Sequence, residues 1–334
     1  MTAIDYSDCI FVVGCARSGT TLMASILGAS SEIATYRAET KLLDGCREKY
    51  GDLKKENSKS RFLKDWLRSR QFVRSGLARQ TCIDIVGREQ SYIGVLAAFM
   101  RLVAENQGKS RWVDSTPTNG YCLDQIGKAF PNAKVIHMIR DGRAVSASLA
   151  KLGWTGVATK NSNAALQYSA LTWKHATDAI LTLSQTLGSK YTEIRYEELV
   201  NKPMELLPRI FQYLNLSETN FEKIVDGTFE AADNRKSSLI RANSPYRDVS
   251  KGISAQPAKR WLNELSPEQI AAIELACGTS LTRLGYEPMA RSSYKVSQLL
   301  LAHVRRHRLG VKRWLKFQTP LGRFSHTSLE VGAQ

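Results

Sequence analysis

Gly14-Cys15-Ala16-Arg17-Ser18-Gly19-Thr20-Thr21 is the first stretch of this chain whose residue types and spacing could do chemistry. Glycines at both ends let a backbone curl until successive N–H groups point inward, and such a curl holds an oxyanion. A helix starting behind it adds partial positive charge at its N-terminus. The spacing is that of the phosphate loop G-x-x-x-x-G-K-[ST], with Thr20 in the place of the lysine. In ATP-using enzymes that lysine reaches the β and γ phosphates. A ligand with a single 5′-phosphate does not need that reach, and Arg17, inside the loop, brings charge and paired hydrogen bonds instead. Arg17, Ser18, Gly19, Thr20 and Thr21 are therefore the first candidates for binding an anion.

Arg140 and Ser148 are the second. Val135-Ile136-His137-Met138-Ile139 reads as a buried strand that delivers Arg140-Asp141-Gly142-Arg143 to its carboxyl end, the edge where open parallel sheets bind ligands. Ser148 follows Arg140 by eight residues, about two turns into the next helix, and the two together suit a phosphate. Asp141 is expected to cap that helix. His137 sits inside the apolar strand and reads as a packed core residue rather than a base. Two separate anion sites point to a nucleotide with anionic groups at both its 5′ and 3′ positions.

The elements that must hold these residues follow from the hydrophobic pattern. Ile10–Val13 is a short apolar run, and Thr21–Leu27 has helical spacing. Residues 44–107 read as helical and basic, with Trp66, Leu67, Phe72, Leu96, Phe99 and Leu102 in the core. Further strands are expected over Arg111–Val113, Ala133–Ile139 and Tyr191–Arg195. Helices are expected over Tyr121–Phe130, through Leu149, and over Ala164–Leu187, Met204–Leu214 and Pro267–Leu284. Asp233–Gln256 is rich in Ser, Asn, Arg and Lys and reads as a long lid-like loop. Alternation of this kind gives an α/β fold, here P-loop-like: three layers, α/β/α, around a central parallel sheet. Residues 1–288 form the expected domain and residues 289–334 a basic C-terminal extension.

The two motifs are similar to those of the PAPS-dependent sulfotransferases, where PAPS is 3′-phosphoadenosine 5′-phosphosulfate. Phe11–Leu22 resembles that family's 5′-phosphosulfate loop, and Val135–Ser148 its 3′-phosphate motif. The likeness is closest to the carbohydrate and tyrosylprotein branches and runs patchily over residues 10–288. The resemblance implies more sites. Tyr196-Glu197-Glu198-Leu199-Val200 is similar to a family stretch that brings Tyr196 toward the nucleotide. Lys251-Gly252 resembles an element that folds over the 3′-phosphate. Ala38-Glu39-Thr40-Lys41 lies near the spacing at which tyrosylprotein sulfotransferases carry a Glu-Thr-Arg stretch. That makes Glu39 the candidate base, with Lys41 standing for the arginine. The chain departs from the pattern at Asp114-Ser115-Thr116-Pro117, where Ser115 takes the place of a leaving-group lysine. Either another cation serves, such as Lys41 or Lys251, or the rate is lower. The implied reaction moves a sulfuryl group from PAPS to a hydroxyl acceptor in line and needs no metal. The implied acceptors are a carbohydrate, a glycolipid or a protein tyrosine.

Composition narrows the classes. The net charge is +16, from 47 Lys and Arg against 31 Asp and Glu, which suits anionic ligands. From Arg291 onward nine Lys and Arg stand against Glu330 alone. There, Leu299–Arg308 and Lys312–Phe317 interleave cations with large apolar groups, the composition of a helix lying on an anionic bilayer. No nucleic-acid module is recognisable. The six cysteines are scattered without metal-ligand spacing, which suits a reduced, cytoplasmic setting. Met1–Asp8 carries no basic residue and does not read as a signal peptide. The competing readings are a P-loop phosphotransferase, which the missing lysine disfavours, and a non-catalytic binder of nucleotide or nucleic acid.

Overall fold

The structure, a computed structural model, describes residues 9–36, 38–153, 162–217, 219–227, 252–289 and 329. Its centre is strand β1 (Ile10–Gly14), every residue of which is buried. The side chains alternate between two cores. Phe11 and Val13 pack with Trp112 and Phe130 on one face, while Ile10 and Val12 pack with Met23, Ile26 and Leu27 on the other. A strand covered on both faces reads as a continuous apolar run, which is why Ile-Phe-Val-Val is legible as one.

Around it lie β2 (Ile33–Thr35), β3 (Arg111–Asp114), β4 (Lys134–Ile139) and β5 (Tyr191–Arg195). The order is β2-β3-β1-β4-β5, and each pairing is parallel. Helices cover both faces, as the α/β expectation requires. Helix α1 (Thr20–Leu27) follows the first loop. Five helices follow: α2 (Cys46–Tyr50), α3 (Glu56–Trp66), α4 (Arg70–Ser75), α5 (Arg79–Arg88) and α6 (Tyr92–Asn106). They supply Trp66, Phe72, Leu96 and Phe99 to the first core. After α7 (Leu123–Ala129) come α8 (Gly142–Leu152) and α9 (Asn163–Leu183), which pack around the fully buried Trp173 in a third cluster.

Three differences from the sequence expectation have local causes. Strand β2 is only three residues long and has no period to read. It becomes a strand by pairing with β3, and the Gln107 side chain seals it, accepting from Thr35 N–H at 3.1 Å and donating to Thr35 C=O at 2.8 Å. The helix expected over Tyr121–Phe130 starts as a 3₁₀ segment, Pro117–Cys122. Gly120 within it packs so closely on Ile180 that a Cβ would come within 2.5 Å of that side chain. The helix expected over Pro267–Leu284 is two, Pro267–Cys277 and Thr279–Arg283. Gly278 separates them with φ at +57°, a conformation that glycine adopts without steric cost.

Lys251, most of the expected loop and nearly all of the basic extension lie outside the described residues. Met289 and Leu329 are the exceptions. Leu329 is buried within the first core cluster. No helix among the described residues is long and apolar enough to cross a membrane.

Candidate active site

The chain leaves β1 toward β2 and β3 on one side and later returns to β4 on the other. The carboxyl ends of β1 and β4 therefore flank the switch point of the sheet, where a crevice opens in such folds. The register sets Gly14 opposite Met138. A side chain at Gly14 would meet the Met138 carbonyl oxygen at 2.6 Å, so the loop after β1 lies directly against the end of β4.

The loop turns on Arg17 and Gly19, with φ of +76° and +99°, and Ser18 N–H donates to Cys15 C=O at 3.0 Å. Helix α1 then begins at Thr20 with no side-chain cap, so its first N–H groups are available to an anion. Gly19 sits against the ring of Tyr196, the first residue of α10 (Tyr196–Asn201), where a Cβ would come within 2.6 Å of Cδ2. Tyr196 thus serves both as packing and as a wall of the site.

Arg140 follows β4 and is buried. Its Nη1 donates to the Arg17 carbonyl at 2.9 Å, and its Nη2 donates to the Pro257 carbonyl. The guanidinium lies 4.3 Å from the centre of the Tyr196 ring. Its Nε finds no partner among the described residues. Burial pulls its pKa below the ordinary arginine value, against the opposing pull of Tyr196, Glu197 and Asp141. A guanidinium keeps its proton even so, and a cation bonded mainly to carbonyls is one that an arriving anion stabilises. On the other side Arg17 Nε donates to Ser148 Oγ at 3.0 Å. Arg17, Arg140 and Ser148 are therefore brought together from two motifs.

Arg17, Gly19, Thr20, Thr21, Arg140, Tyr196 and Gly252 all line one cavity of about 160 Å³, joined by Leu22, Ser254 and Pro257. Ser18 does not line it; its hydroxyl is buried in the loop without a partner among the described residues. Gly252 has φ at +82° and lies against the Val225 carbonyl, where a Cβ would come within 2.6 Å. Ile253 N–H donates to that same carbonyl at 2.9 Å. Ser254 and Pro257 were not foreseen as part of the site, because nothing in their local sequence marks them.

Glu39 and Lys41 form a separate pair at the end of β3, outside the lining of that cavity. Lys41 Nζ is 3.5 Å from Glu39 Oε2, and the side chains are 24% and 37% exposed respectively. The residue between them fixes the segment. Thr40 Oγ1 donates to Asp114 Oδ2 at 2.6 Å, Thr40 N–H donates to Thr116 Oγ1 at 2.8 Å, and Thr116 N–H donates to Asp114 Oδ1 at 2.8 Å. Asp114 is buried, and burial holds its carboxyl above the usual range despite the bonds from Thr116 and Thr40. It is occupied as an anchor. Ser115 is buried as well. Sequence reasoning missed the anchoring role of Thr40 and Thr116, since their partner stands 74 residues away from Thr40.

His137 is fully buried in β4, with Nδ1 2.7 Å from the Tyr191 hydroxyl, as the reading of a core histidine requires. Burial pushes its pKa down to about 3. The unfolded chain takes up this proton near the ordinary value of about 6.5, whereas the folded chain does not. Stability is therefore full above pH 6.5 and is lost as the pH falls from there toward 3, at up to about 1.4 kcal/mol per pH unit from this group. Urea unfolding of wild type and His137→Gln at pH 7 and pH 5 checks this. The wild type is expected to lose about 2 kcal/mol more than the variant over that interval, and equal losses would show that His137 does not carry the acid sensitivity.

Asp141 caps α8 as expected, accepting from Arg143 N–H at 2.8 Å. It also pairs with the Arg143 guanidinium at 2.9 Å, and Arg143 binds Glu274 at 2.7 Å. All three are buried. The Trp173 indole donates to the Arg140 carbonyl at 2.9 Å. These contacts fix the backbone that carries Arg140.

Comparison with known proteins gives the family and the fold. Protein-tyrosine sulfotransferase A of Caenorhabditis elegans is 26% identical over 287 residues, covering 85% of this chain and 68% of the relative. The protein-tyrosine sulfotransferase of Drosophila melanogaster is 22% identical, covering 84% of this chain and 52% of the relative. This chain thus spans about half to two thirds of those relatives. Carbohydrate sulfotransferase 1 of Rattus norvegicus is 26% identical over 171 residues, 47% of this chain and 39% of the relative. In fold, the solved sulfotransferase domain from the curacin biosynthetic pathway matches with a TM-score of 0.56 at 20% identity, covering 83% of this chain and 97% of that one. The sulfotransferase domain from the Synechococcus PCC 7002 olefin synthase matches with a TM-score of 0.53 at 21% identity, covering 80% and 93%. Residues 9–220, more than half of the chain, match the profile of the Sulfotransferase family, and this chain therefore belongs to that family.

Proposed function

We propose that this sulfotransferase takes its sulfuryl group from PAPS and passes it to a hydroxyl acceptor. The observation that supports this donor is the meeting of Arg17, Arg140 and Ser148, which joins a 5′-anion loop to a buried cation with an unsatisfied Nε. PAPS, when bound, supplies the group transferred. The backbone of the loop, with Ser18, Gly19, Thr20 and Thr21, holds the 5′ end. Arg140 and Ser148 hold the 3′-phosphate, Gly252 lines the same cavity, Lys251 is a further candidate by its resemblance to the family element, and Tyr196 walls the site. Glu39 takes the proton from the acceptor hydroxyl as its oxygen bonds to sulfur. The bond from sulfur to the 5′-phosphate oxygen breaks, and that oxygen leaves with the electron pair. Arg17 and Lys41 offset the charge that develops there. The cations of the site are side chains, and no step is assigned to a metal.

The acceptor is a hydroxyl of a carbohydrate, a glycolipid or a protein tyrosine; carbohydrate and protein tyrosine agree with the relatives' names. The basic composition of residues 289–334 supports a peripheral contact with an anionic membrane, in a cytoplasmic setting.

Thermal unfolding with adenosine 3′,5′-bisphosphate, with ATP and with RNA, each in the presence of chelator, tests the donor. The bisphosphate is expected to raise Tm most. A larger shift with ATP would favour a phosphotransferase, and a larger shift with RNA a nucleic-acid binder. Arg140→Ala is expected to weaken the bisphosphate by about 2–4 kcal/mol in calorimetry, because it removes the partner of a desolvated phosphate. Affinity for adenosine 5′-monophosphate is expected to change little, so that discrimination between the two collapses. Retained discrimination would move the 3′-phosphate elsewhere.

A further inference from the structure

Among the described residues, three other than glycine have a positive φ: Arg17 at +76°, Lys41 at +53° and Asn215 at +51°. Asparagine tolerates this region through local hydrogen bonds, whereas lysine enters it at a cost. Such a conformation persists only where the surroundings over-determine it, and it concentrates where geometry serves chemistry. Lys41 is over-determined from both sides. Before it, Thr40 N–H donates to Thr116 Oγ1 at 2.8 Å, and Thr40 Oγ1 donates to Asp114 Oδ2 at 2.6 Å. Thr40 has one hydroxyl proton, and Asp114 takes it. The 3.1 Å contact between the two threonine hydroxyls is therefore a donation from Thr116 to Thr40. Thr116 N–H closes the ring on Asp114 Oδ1 at 2.8 Å. After it, the Cys46 thiol donates to the Lys41 carbonyl at 3.3 Å, and the Cys122 thiol donates to the Leu43 carbonyl at 3.8 Å.

We infer that Asp114 and Thr40 are positioning residues for the transfer step: they hold the backbone on which Glu39 and Lys41 stand, and so fix the acceptor-side pair in advance. The inference rests on the reading of Glu39 as the base and Lys41 as a cation of the site. Glu39 and Lys41 flank Thr40, with Lys41 Nζ 3.5 Å from Glu39 Oε2 and both side chains partly exposed. A pair so exposed is worth little by itself, and its place depends on the backbone beneath it. Thr40, Asp114 and Thr116 are all buried. Thr40 cannot rotate out of the ring without leaving buried polar groups unpaired, which costs more than the net value of the bonds. The ring therefore defines where Glu39 begins. A shift of about 1 Å at a reacting group can cost 10²-fold in rate, so a buried anchor beneath a base acts on the chemical step without touching the substrate.

A merely structural ring would affect stability and leave the chemistry of the folded protein alone. The test measures single-turnover sulfuryl transfer from PAPS to a phenol. The proteins are wild type, Thr40→Val, Thr40→Ala, Thr40→Ser, Asp114→Asn, Glu39→Gln and the Thr40→Val/Glu39→Gln double variant. Urea unfolding shows that each protein compared is folded, and Thr40→Ala takes the place of Thr40→Val if valine unfolds the chain. Thr40→Val is expected to lower the rate by about 10–10²-fold, with affinity for adenosine 3′,5′-bisphosphate within about twofold of wild type. Thr40→Ser keeps the hydroxyl and is expected to restore the rate to within about threefold. Asp114→Asn is expected to behave as Thr40→Val does, because it removes the charged partner of the Thr40 hydroxyl. The double variant separates positioning from general damage. If Thr40 acts through Glu39, the loss caused by Thr40→Val is expected to shrink at least about fivefold once Glu39 is Gln. A folded Thr40→Val protein with the wild-type rate would overturn the inference, as would a Thr40→Val loss of the same factor with and without Glu39. A Glu39→Gln protein with near wild-type rate removes the base reading and the inference with it. A slow Glu39→Gln beside a fast Thr40→Val removes the inference alone.

Discussion

Glu39→Gln is expected to lower turnover by about 10²–10⁴-fold, the usual contribution of a positioned carboxylate base. The substitution keeps the shape of the side chain and removes its basicity. An acceptor hydroxyl that retains its proton is a poor nucleophile, and the loss corresponds to about 3–5 kcal/mol of barrier. Affinity for adenosine 3′,5′-bisphosphate is expected to stay within about twofold, because Glu39 lies outside the cavity that Arg140 and Tyr196 line. The pair with Lys41 is partly exposed at 3.5 Å, so its loss costs little stability, about 0–1 kcal/mol. Single-turnover measurement with PAPS isolates the chemical step. His137→Gln is the contrasting variant: His137 is fully buried, and its replacement should cost stability rather than specific activity. A Glu39→Gln enzyme with near wild-type single-turnover rates would remove Glu39 as the base. Asp114, the other carboxylate of this edge, would be a poor substitute, because it is held between Thr40 and Thr116.

Arg143→Ala is expected to destabilise the fold by about 3–5 kcal/mol. The guanidinium stands between Asp141 at 2.9 Å and Glu274 at 2.7 Å, with side-chain exposures of 5%, 8% and 3% in that order. It also donates to the Glu287 carbonyl at 3.0 Å and lies 4.5 Å from the centre of the Trp261 ring. Its removal leaves two buried carboxylates without a counterion, and that penalty exceeds the net value of the intact pairs. Arg143→Lys is expected to recover only part of the loss, because an ammonium lacks the planar fork that engages both Asp141 oxygens. Since typical domains have about 5–15 kcal/mol in total, urea unfolding resolves the change easily. A loss under about 1 kcal/mol would show that the buried triad is not a structural clamp. Asp141 follows Arg140 directly in the chain, so nucleotide affinity is expected to fall as well. Excess adenosine 3′,5′-bisphosphate should recover part of the lost stability by mass action.

What local pattern can encode was legible in the chain. An apolar run followed by Gly14, Arg17 and Gly19 specifies a strand, a tight turn and a helix, because each step is dictated by neighbours along the chain. The same holds for β4, Arg140 and the Asp141 cap. The fold class followed from alternation alone, and His137 could be placed in the core from its apolar neighbours. Tertiary structure decided the rest. It made a strand of three residues at Ile33–Thr35, broke a helical pattern at Gly278, and buried Leu329 from the far end of the chain in the first core. It joined Thr40 to Asp114 across 74 residues, and Arg17 to Ser148 and Arg143 to Glu274 across 131 each. Periodicity shows which face of an element is apolar, but not which distant polar group will meet another. That choice is made by the order in which strands pair. Here β1 lies between β3 and β4, so segments distant in sequence end at one edge of the sheet and their hydrogen-bonding groups become partners.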